Sequence, residues 1–291
     1  MERYSPSNID VGEMSGEMEE RRRRVEESCV EVLEPEEREE VNSGEFLISD
    51  KYKLIWCNIF KAASSTWLYN YLIMGGKVPE ELKRLRISPV EAARELYPRP
   101  GRAKLMGHLA GGNKERYLSF IIVREPFQRL LSAYRDKIET IVPYYKQLRC
   151  QITKKYPIDT EKLKAGWWEE CKPNFSQFVS FLIDEEREGR APNEHWAPYY
   201  KFCSPCVASF DVVLRFESLH NDEMYLLEKV PGLSKVVSPK VIHSSHFNYS
   251  ALTSSYFKQL TTRQLLGLLK IYLPDFRLFG YTERPYLDYV G

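Results

Sequence analysis

No apolar run in this chain approaches the ~20 residues of a membrane-spanning helix. The N-terminus also lacks the apolar core of a secretory leader. On the sequence alone the chain is therefore expected to be soluble. Neither sign of charge is in excess: 42 Lys+Arg against 41 Asp+Glu leave a formal +1. That argues against a general nucleic-acid binder, so any polyanion contact has to come from a local basic groove. The Walker pattern G-x-x-x-x-G-K-[ST] is absent. Cys203-Ser-Pro-Cys206 has no second C-x-x-C to complete a zinc site. It also precedes an apparent strand, whereas a thioredoxin-like dithiol opens a helix after one.

Across 291 residues, 43% are apolar and 13% aromatic, enough for one large globular domain or two small ones. The six cysteines are even in number and permit disulfides. Asn174-Phe-Ser and Asn248-Tyr-Ser are glycosylation triplets, a slight pointer to a secretory compartment. Residues 1–44 are rich in glutamate and poor in apolar side chains, so they are expected to be disordered or a frayed helix. The run Arg21 to Arg24 reads either as a sorting signal or as a solvated run flanked by glutamates. Folding is expected to begin near Phe46.

The most informative stretch runs from Leu54 to Gly76. Leu54 to Phe60 is short and apolar, a buried strand. Trp67 to Met74 is apolar and stops on Gly75-Gly76, a helix with a glycine end. Between them lie Lys61, Ala62, Ala63, Ser64, Ser65 and Thr66. Small side chains let backbone N–H groups approach a ligand, and the helix start favours an anion. Lys61 adds a full charge and the three hydroxyls add donors, so the segment reads as a phosphate cradle. Taken alone it reads rather as a surface lysine followed by a Ser/Thr helix cap.

A second strand–loop–helix unit spans Tyr117 to Glu139. Tyr117 to Val123 reads as a buried strand, Arg124-Glu125-Pro126 as a turn, and Pro126 as the first turn of a helix. Phe127, Leu130, Leu131, Tyr134 and Ile138 recur at helical spacing and face inward, with Arg129, Ser132, Arg135 and Asp136 outside that stripe. Arg124 stands where a strand hands over to a helix, the place at which open α/β sheets bind ligands. Its guanidinium offers a fork of donors to a phosphate, and Ser132 adds a hydroxyl. The plain alternative is an Arg124–carboxylate pair with Ser132 as a small packing residue. Two separated anion sites suit a nucleotide with phosphates at both ends of its ribose.

At this point the residues resemble a known family. Lys61-x-x-Ser-Ser-Thr66 is similar to the 5′-phosphosulfate loop of sulfotransferases. Val123-Arg-Glu-Pro-Phe-x-Arg-Leu-x-Ser-Ala-Tyr-Arg-Asp-Lys137 is similar to their 3′-phosphate motif. More narrowly, the wording resembles the Golgi carbohydrate sulfotransferases of the HNK-1 / chondroitin 4-O-sulfotransferase family (sulfotransferase family 2), over about Lys51 to Thr282. The resemblance implies an α/β fold with a P-loop-like central parallel sheet flanked by helices, and a single transferase domain over 45–291. It implies sulfuryl transfer from PAPS (3′-phosphoadenylyl sulfate) to a sugar hydroxyl, with no metal and no nucleic-acid partner. The acceptor it favours is the 4-O position of N-acetylgalactosamine in chondroitin/dermatan-type glycans. Lys61 is then catalytic, Ala62 to Thr66 share the 5′ side, and Arg124 and Ser132 hold the 3′-phosphate. Alternatives are a catalytically inactive glycan-binding relative and a P-loop kinase. Family members are type II Golgi membrane proteins. No anchor is visible here, and a truncated chain, splice form or partial gene model is the expected explanation.

Asn193-Glu-His195-Trp196-Ala-Pro198, leading into Cys203-x-Pro-Cys206 and the strand Asp211 to Phe216, also resembles the family. His195 is the candidate general base, with His108 and Glu217 in reserve; a structural histidine holding the cysteine loop is the alternative. His108 is placed in a loop over Pro98 to Gly112. Structural disulfides are expected to join the Cys203/Cys206 corner to Cys150 and Cys171. Lys146, Arg149, Lys154, Lys155, Lys162 and Lys164, near Trp167-Trp168, form either a groove for an acidic glycan or an ordinary basic surface. Glu80 to Tyr97 is helical, with Pro89 opening a second helix after Ser88. Phe175 to Ile183 is helical. Thr261 and Gln264 fit a capping box. Leu265, Leu266, Leu268, Leu269 and Tyr272 face inward, Pro274 stops that helix, and Phe276, Leu278, Phe279 and Tyr281 dock on the core.

Overall fold

The computed structural model describes residues 10–35, 41–84, 87–111, 116–157, 171–239 and 249–289. The tryptophan pair, Lys162, Lys164 and Asn248 lie outside them. The chain order begins with helix α1 (Val11–Val32), then strands β1 (Phe46–Ser49) and β2 (Leu54–Cys57). Helices α2 (Ser64–Met74), α3 (Pro89–Leu96) and α4 (Arg102–Leu109) follow. Strand β3 (Leu118–Val123) passes through Arg124-Glu125 into α5 (Pro126–Tyr134), which widens into a π turn over Arg135–Glu139. Then come α6 (Lys146–Lys155), α7 (Phe175–Arg187), β4 (Val212–Arg215), α8 (Leu219–Lys229), α9 (Tyr249–Phe257) and α10 (Thr262–Phe279). Several starts are fixed by local chemistry. Ser88 and Glu91 form a capping box, and the Glu125 carboxylate accepts from the Gln128 N–H ahead of Pro126.

These elements group into two compact units. One comprises Met1–Arg124, Tyr199–Ser245 and Arg277–Gly280; the other Glu125–Pro198, His246–Phe276 and Tyr281–Gly291. The first carries the sheet, in the order β1-β2-β3-β4. The three strands β2, β3 and β4 are parallel, as expected, while β1 adds an antiparallel edge that the sequence reading did not foresee. All four residues of β2 are buried, as a strand covered on both faces requires. Trp56 stacks on Phe120, and Trp67 of α2 packs 4.6 Å from the same ring. The Trp67 indole N–H donates to the buried Glu223 of α8 at 2.9 Å.

The charged N-terminal segment, expected to be disordered or a frayed helix, contains the 22-residue helix α1. Composition misleads here because a few contacts fix it. Arg21 is 6% exposed, pairs with Asp222 of α8 and donates to the Val213 carbonyl at 2.9 Å. Arg22, Arg23 and Arg24 pair with glutamates one turn away, as a solvated helix face does.

The disulfides differ from the expected pairing. Cys29 of α1 joins Cys206, Cys57 joins Cys203, and Cys150 joins Cys171. The 146-residue separation of Cys57 and Cys203 closes a long loop. Removing that bridge with Cys57→Ser and Cys203→Ser together is expected to cost about 2–5 kcal/mol of stability. Denaturant unfolding of the pure double variant checks it; an unchanged midpoint contradicts it.

The second unit is helical around Phe127, Phe175, Phe178, Phe257, Phe276 and Tyr286. The Tyr286 hydroxyl donates to Glu125 at 2.8 Å and helps hold the start of α5. Pro274 does not end α10, which continues to Phe279. Burial of Phe276, Leu278 and Phe279 offsets the ~3 kcal/mol cost of an interior proline. Leu266, expected inside, is 55% exposed, whereas Leu265 and Leu268 are buried.

Candidate active site

Strands β2 and β3 are neighbours and parallel, so their carboxyl ends open on the same edge of the sheet. The loop after β2 carries Lys61 and the residue after β3 is Arg124. This is why two segments 63 positions apart meet: the Arg124 Nη1 lies 3.5 Å from the Lys61 carbonyl oxygen and donates to it. The register Val123↔Arg215 likewise puts Arg124 beside the start of the next turn. There its guanidinium sits over the Phe216 ring, 4.6 Å from the centroid. Arg124 is 4% exposed.

The loop backbone is unusual. Lys61 and Ala63 are both left-handed, with φ of 69° and 59°. Non-glycine residues held this way cost of order 1 kcal/mol or more each, and backbone of this hand turns successive N–H groups toward a common concavity. Ala62, between them, is fully buried, which fixes the loop against the core. Helix α2 starts at Ser64, three residues earlier than its apolar run, and no side chain caps its first turn. Its first internal bond runs from the Trp67 N–H to the Ala63 carbonyl at 3.1 Å. Thus Ser64, Ser65 and Thr66 sit in the turn whose N–H groups have no intrahelical acceptor. Ser64 is buried and Ser65 exposed. A lysine, a row of N–H groups and a buried arginine make a donor set that fits a doubly phosphorylated nucleotide.

Sequence reasoning missed Tyr199. The Arg124 N–H donates to its hydroxyl at 2.9 Å, and that hydroxyl donates to the Arg124 carbonyl at 2.8 Å. This reciprocal pair fixes the backbone just where β3 ends. A tyrosine directly after an H-W-x-P segment was the available signal, but nothing local showed its partner.

His108 is not part of this edge. It lies in α4 rather than in a loop, and its ring packs 4.2 Å from Tyr117, at the opposite end of β3. Six strand residues separate the two ends by about 20 Å. Glu217 follows Phe216 on the Arg124 edge and is exposed.

Ser132 and His195 belong to the second unit. Ser132 is half-buried on α5. His195 is 8% exposed, with Tyr145 Oη and Asn193 Oδ1 each 3.0 Å from its Nδ1. Arg129, read as lying outside the inward stripe, is fully buried and donates to the Ala197 carbonyl at 2.8 Å. The Tyr272 hydroxyl donates to the Trp196 carbonyl. The His195–Pro198 segment is thus held from two helices. Of the basic residues considered for a glycan groove, Arg149 is buried and donates to the Thr140 carbonyl, and Lys155 pairs with Asp184. Lys146 and Lys154 are exposed. Among the described residues, no group of three or more His, Cys, Asp and Glu could hold a metal.

Comparison with known proteins adds an independent line. Carbohydrate sulfotransferase 14 of Danio rerio is 28% identical over 81% of this chain and 61% of that protein. The Homo sapiens protein of the same name is 30% identical over 81% and 59%. Carbohydrate sulfotransferase 11 of Rattus norvegicus is 26% identical over 98% and 82%. The chain spans about three fifths of the length of the first two. No solved structure matches it. The model of the sulfotransferase family matches residues 44–282, a span that holds both β2–Lys61–α2 and β3–Arg124–α5, and the chain belongs to that family.

Proposed function

We propose that the chain is a carbohydrate sulfotransferase, with residues 45–291 as the transferase domain, moving a sulfuryl group from PAPS to a sugar hydroxyl. The observation that carries this is the Arg124 guanidinium 3.5 Å from the Lys61 carbonyl, on the carboxyl edge of parallel strands. In the transfer, the bond from sulfur to the 5′-phosphate oxygen breaks and a bond to the acceptor oxygen forms. The 5′-phosphate gains negative charge as it leaves. Lys61 and the N–H groups of Ala62 to Thr66 stabilise that charge. Arg124 and Ser132 hold the 3′-phosphate and set the donor's register. Positioning and electrostatics do most of the work, as in phosphoryl transfer. His195 takes the proton of the acceptor hydroxyl.

The relatives named as carbohydrate sulfotransferases support a glycan acceptor. We assign it to the 4-O position of N-acetylgalactosamine in chondroitin/dermatan-type chains, with residence in the Golgi lumen by the same likeness. Among the described residues no helix is long and apolar enough to cross a membrane.

Incubating the chain with sulfur-labelled PAPS and a panel of desulfated glycans tests the reading. Label on an N-acetylgalactosamine glycan is expected. Binding without transfer would mark an inactive glycan-binding relative, and phosphate incorporation from ATP would mark a kinase. His195→Ala is expected to lower kcat about 10²-fold, the low end for a general base, with donor KM little changed. Near-native turnover with PAPS bound normally would contradict that role.

A further inference from the structure

We propose that Asn193, together with Tyr145, is a positioning residue that holds His195 in the tautomer with its proton on Nδ1, which makes Nε2 the basic nitrogen. The inference deepens the reading of His195 as base and rests on it for its catalytic meaning.

One atom of this cluster has a role that is not adjustable. The His195 backbone N–H can only donate, and it lies 3.0 Å from Asn193 Oδ1. The amide atom facing it must therefore be the oxygen, which settles the orientation of the side chain. This is an Asx turn, in which an asparagine oxygen takes the N–H two residues on. The same oxygen lies 3.0 Å from His195 Nδ1. A carboxamide oxygen only accepts, so Nδ1 must present N–H to it. A neutral imidazole carries one N–H, so the lone pair is on Nε2.

The surroundings hold this arrangement. The Asn193 carbonyl accepts from the Trp196 N–H at 3.0 Å and the Ala197 N–H at 2.8 Å, closing the turn beneath the histidine. Tyr145 Oη lies 3.0 Å from the same Nδ1, and its ring stands edge-on to the imidazole, 6.0 Å between centroids. Burial pushes the Tyr145 phenol up to about 12, against a hydrogen bond from the Asn193 amide that pulls the other way, so it stays protonated at neutral pH. Tyr145 thus reaches both the histidine and the amide. The Glu194 carboxylate is 3.7 Å from Nδ1 and favours the imidazolium that forms once Nε2 accepts a proton. An amide that fixes the tautomer, beside a carboxylate that stabilises the charge, is the support a general base needs.

The direct test is nitrogen-15 NMR of the whole chain, with the His195 ring identified by its loss in His195→Gln. A protonated Nδ1 and unprotonated Nε2 at a pH where the ring is neutral is the expected pattern. The opposite tautomer overturns the proposal. Asn193→Ala is expected to mix the tautomers and lower kcat about 10-fold or more with donor KM unchanged, and Asn193→Asp, which keeps the acceptor oxygen, to restore the pattern. A merely structural role would move thermal stability and KM and leave the tautomer as it was, which also overturns the proposal. Full activity of His195→Ala beside a protonated Nδ1 would defeat the base reading and leave the tautomer assignment standing.

Discussion

Lys61→Ala is expected to lower kcat about 10³-fold, the loss found when a preorganised charge donor is removed from a developing anion. The change leaves the rest of the site in place. Arg124 meets the carbonyl of residue 61 and not its side chain, so that contact survives. Alanine already occupies the same left-handed region at position 63, so the backbone of the variant has a precedent two residues along the loop. The cost should therefore fall on kcat far more than on the affinity of the donor PAPS, because the charge it answers grows only as the 5′-phosphate leaves. Steady-state rates with saturating PAPS, beside a thermal melt to show the fold intact, check this. A variant within tenfold of native turnover contradicts it.

Arg124→Gln is expected to act on binding instead, raising the donor KM about 10²–10³-fold. Truncating one partner of a buried, charge-assisted contact costs roughly 2–5 kcal/mol. The guanidinium is positioned by its backbone, through the reciprocal Tyr199 pair, and by the Phe216 face. Glutamine keeps bulk beside that ring and removes the charge. Rates at saturating donor should recover much of the loss, which separates this variant from Lys61→Ala. An unchanged KM for PAPS would remove Arg124 from the nucleotide site.

The two strand–loop–helix units were legible because each changes composition sharply: a bulky apolar run, a polar turn, then a helical stripe. The lysine loop and Arg124 stand out at those boundaries, and parallel pairing of β2 with β3 then brings them to one edge. What stayed hidden depends on partners distant in sequence. Periodicity put Arg129 outside the apolar stripe, yet its guanidinium is buried on a carbonyl 68 residues away. Tyr145 meets His195 across 50 residues, with no local mark on either. Helix α1 reads as a solvated charged tract until Asp222 and Cys206 are seen to fix it. The four-residue strand β1 is too short to declare its direction.

Calorimetric titration of the chain with adenosine 3′,5′-bisphosphate, against adenosine 5′-phosphate under the same salt, tests the central claim most directly. If residues 61 and 124 grip opposite ends of one nucleotide, the bisphosphate binds at least about 10²-fold tighter, as a buried arginine–phosphate contact requires. That preference disappears in Arg124→Gln. Equal affinity for the two nucleotides, or a preference that survives the loss of Arg124, would contradict the account.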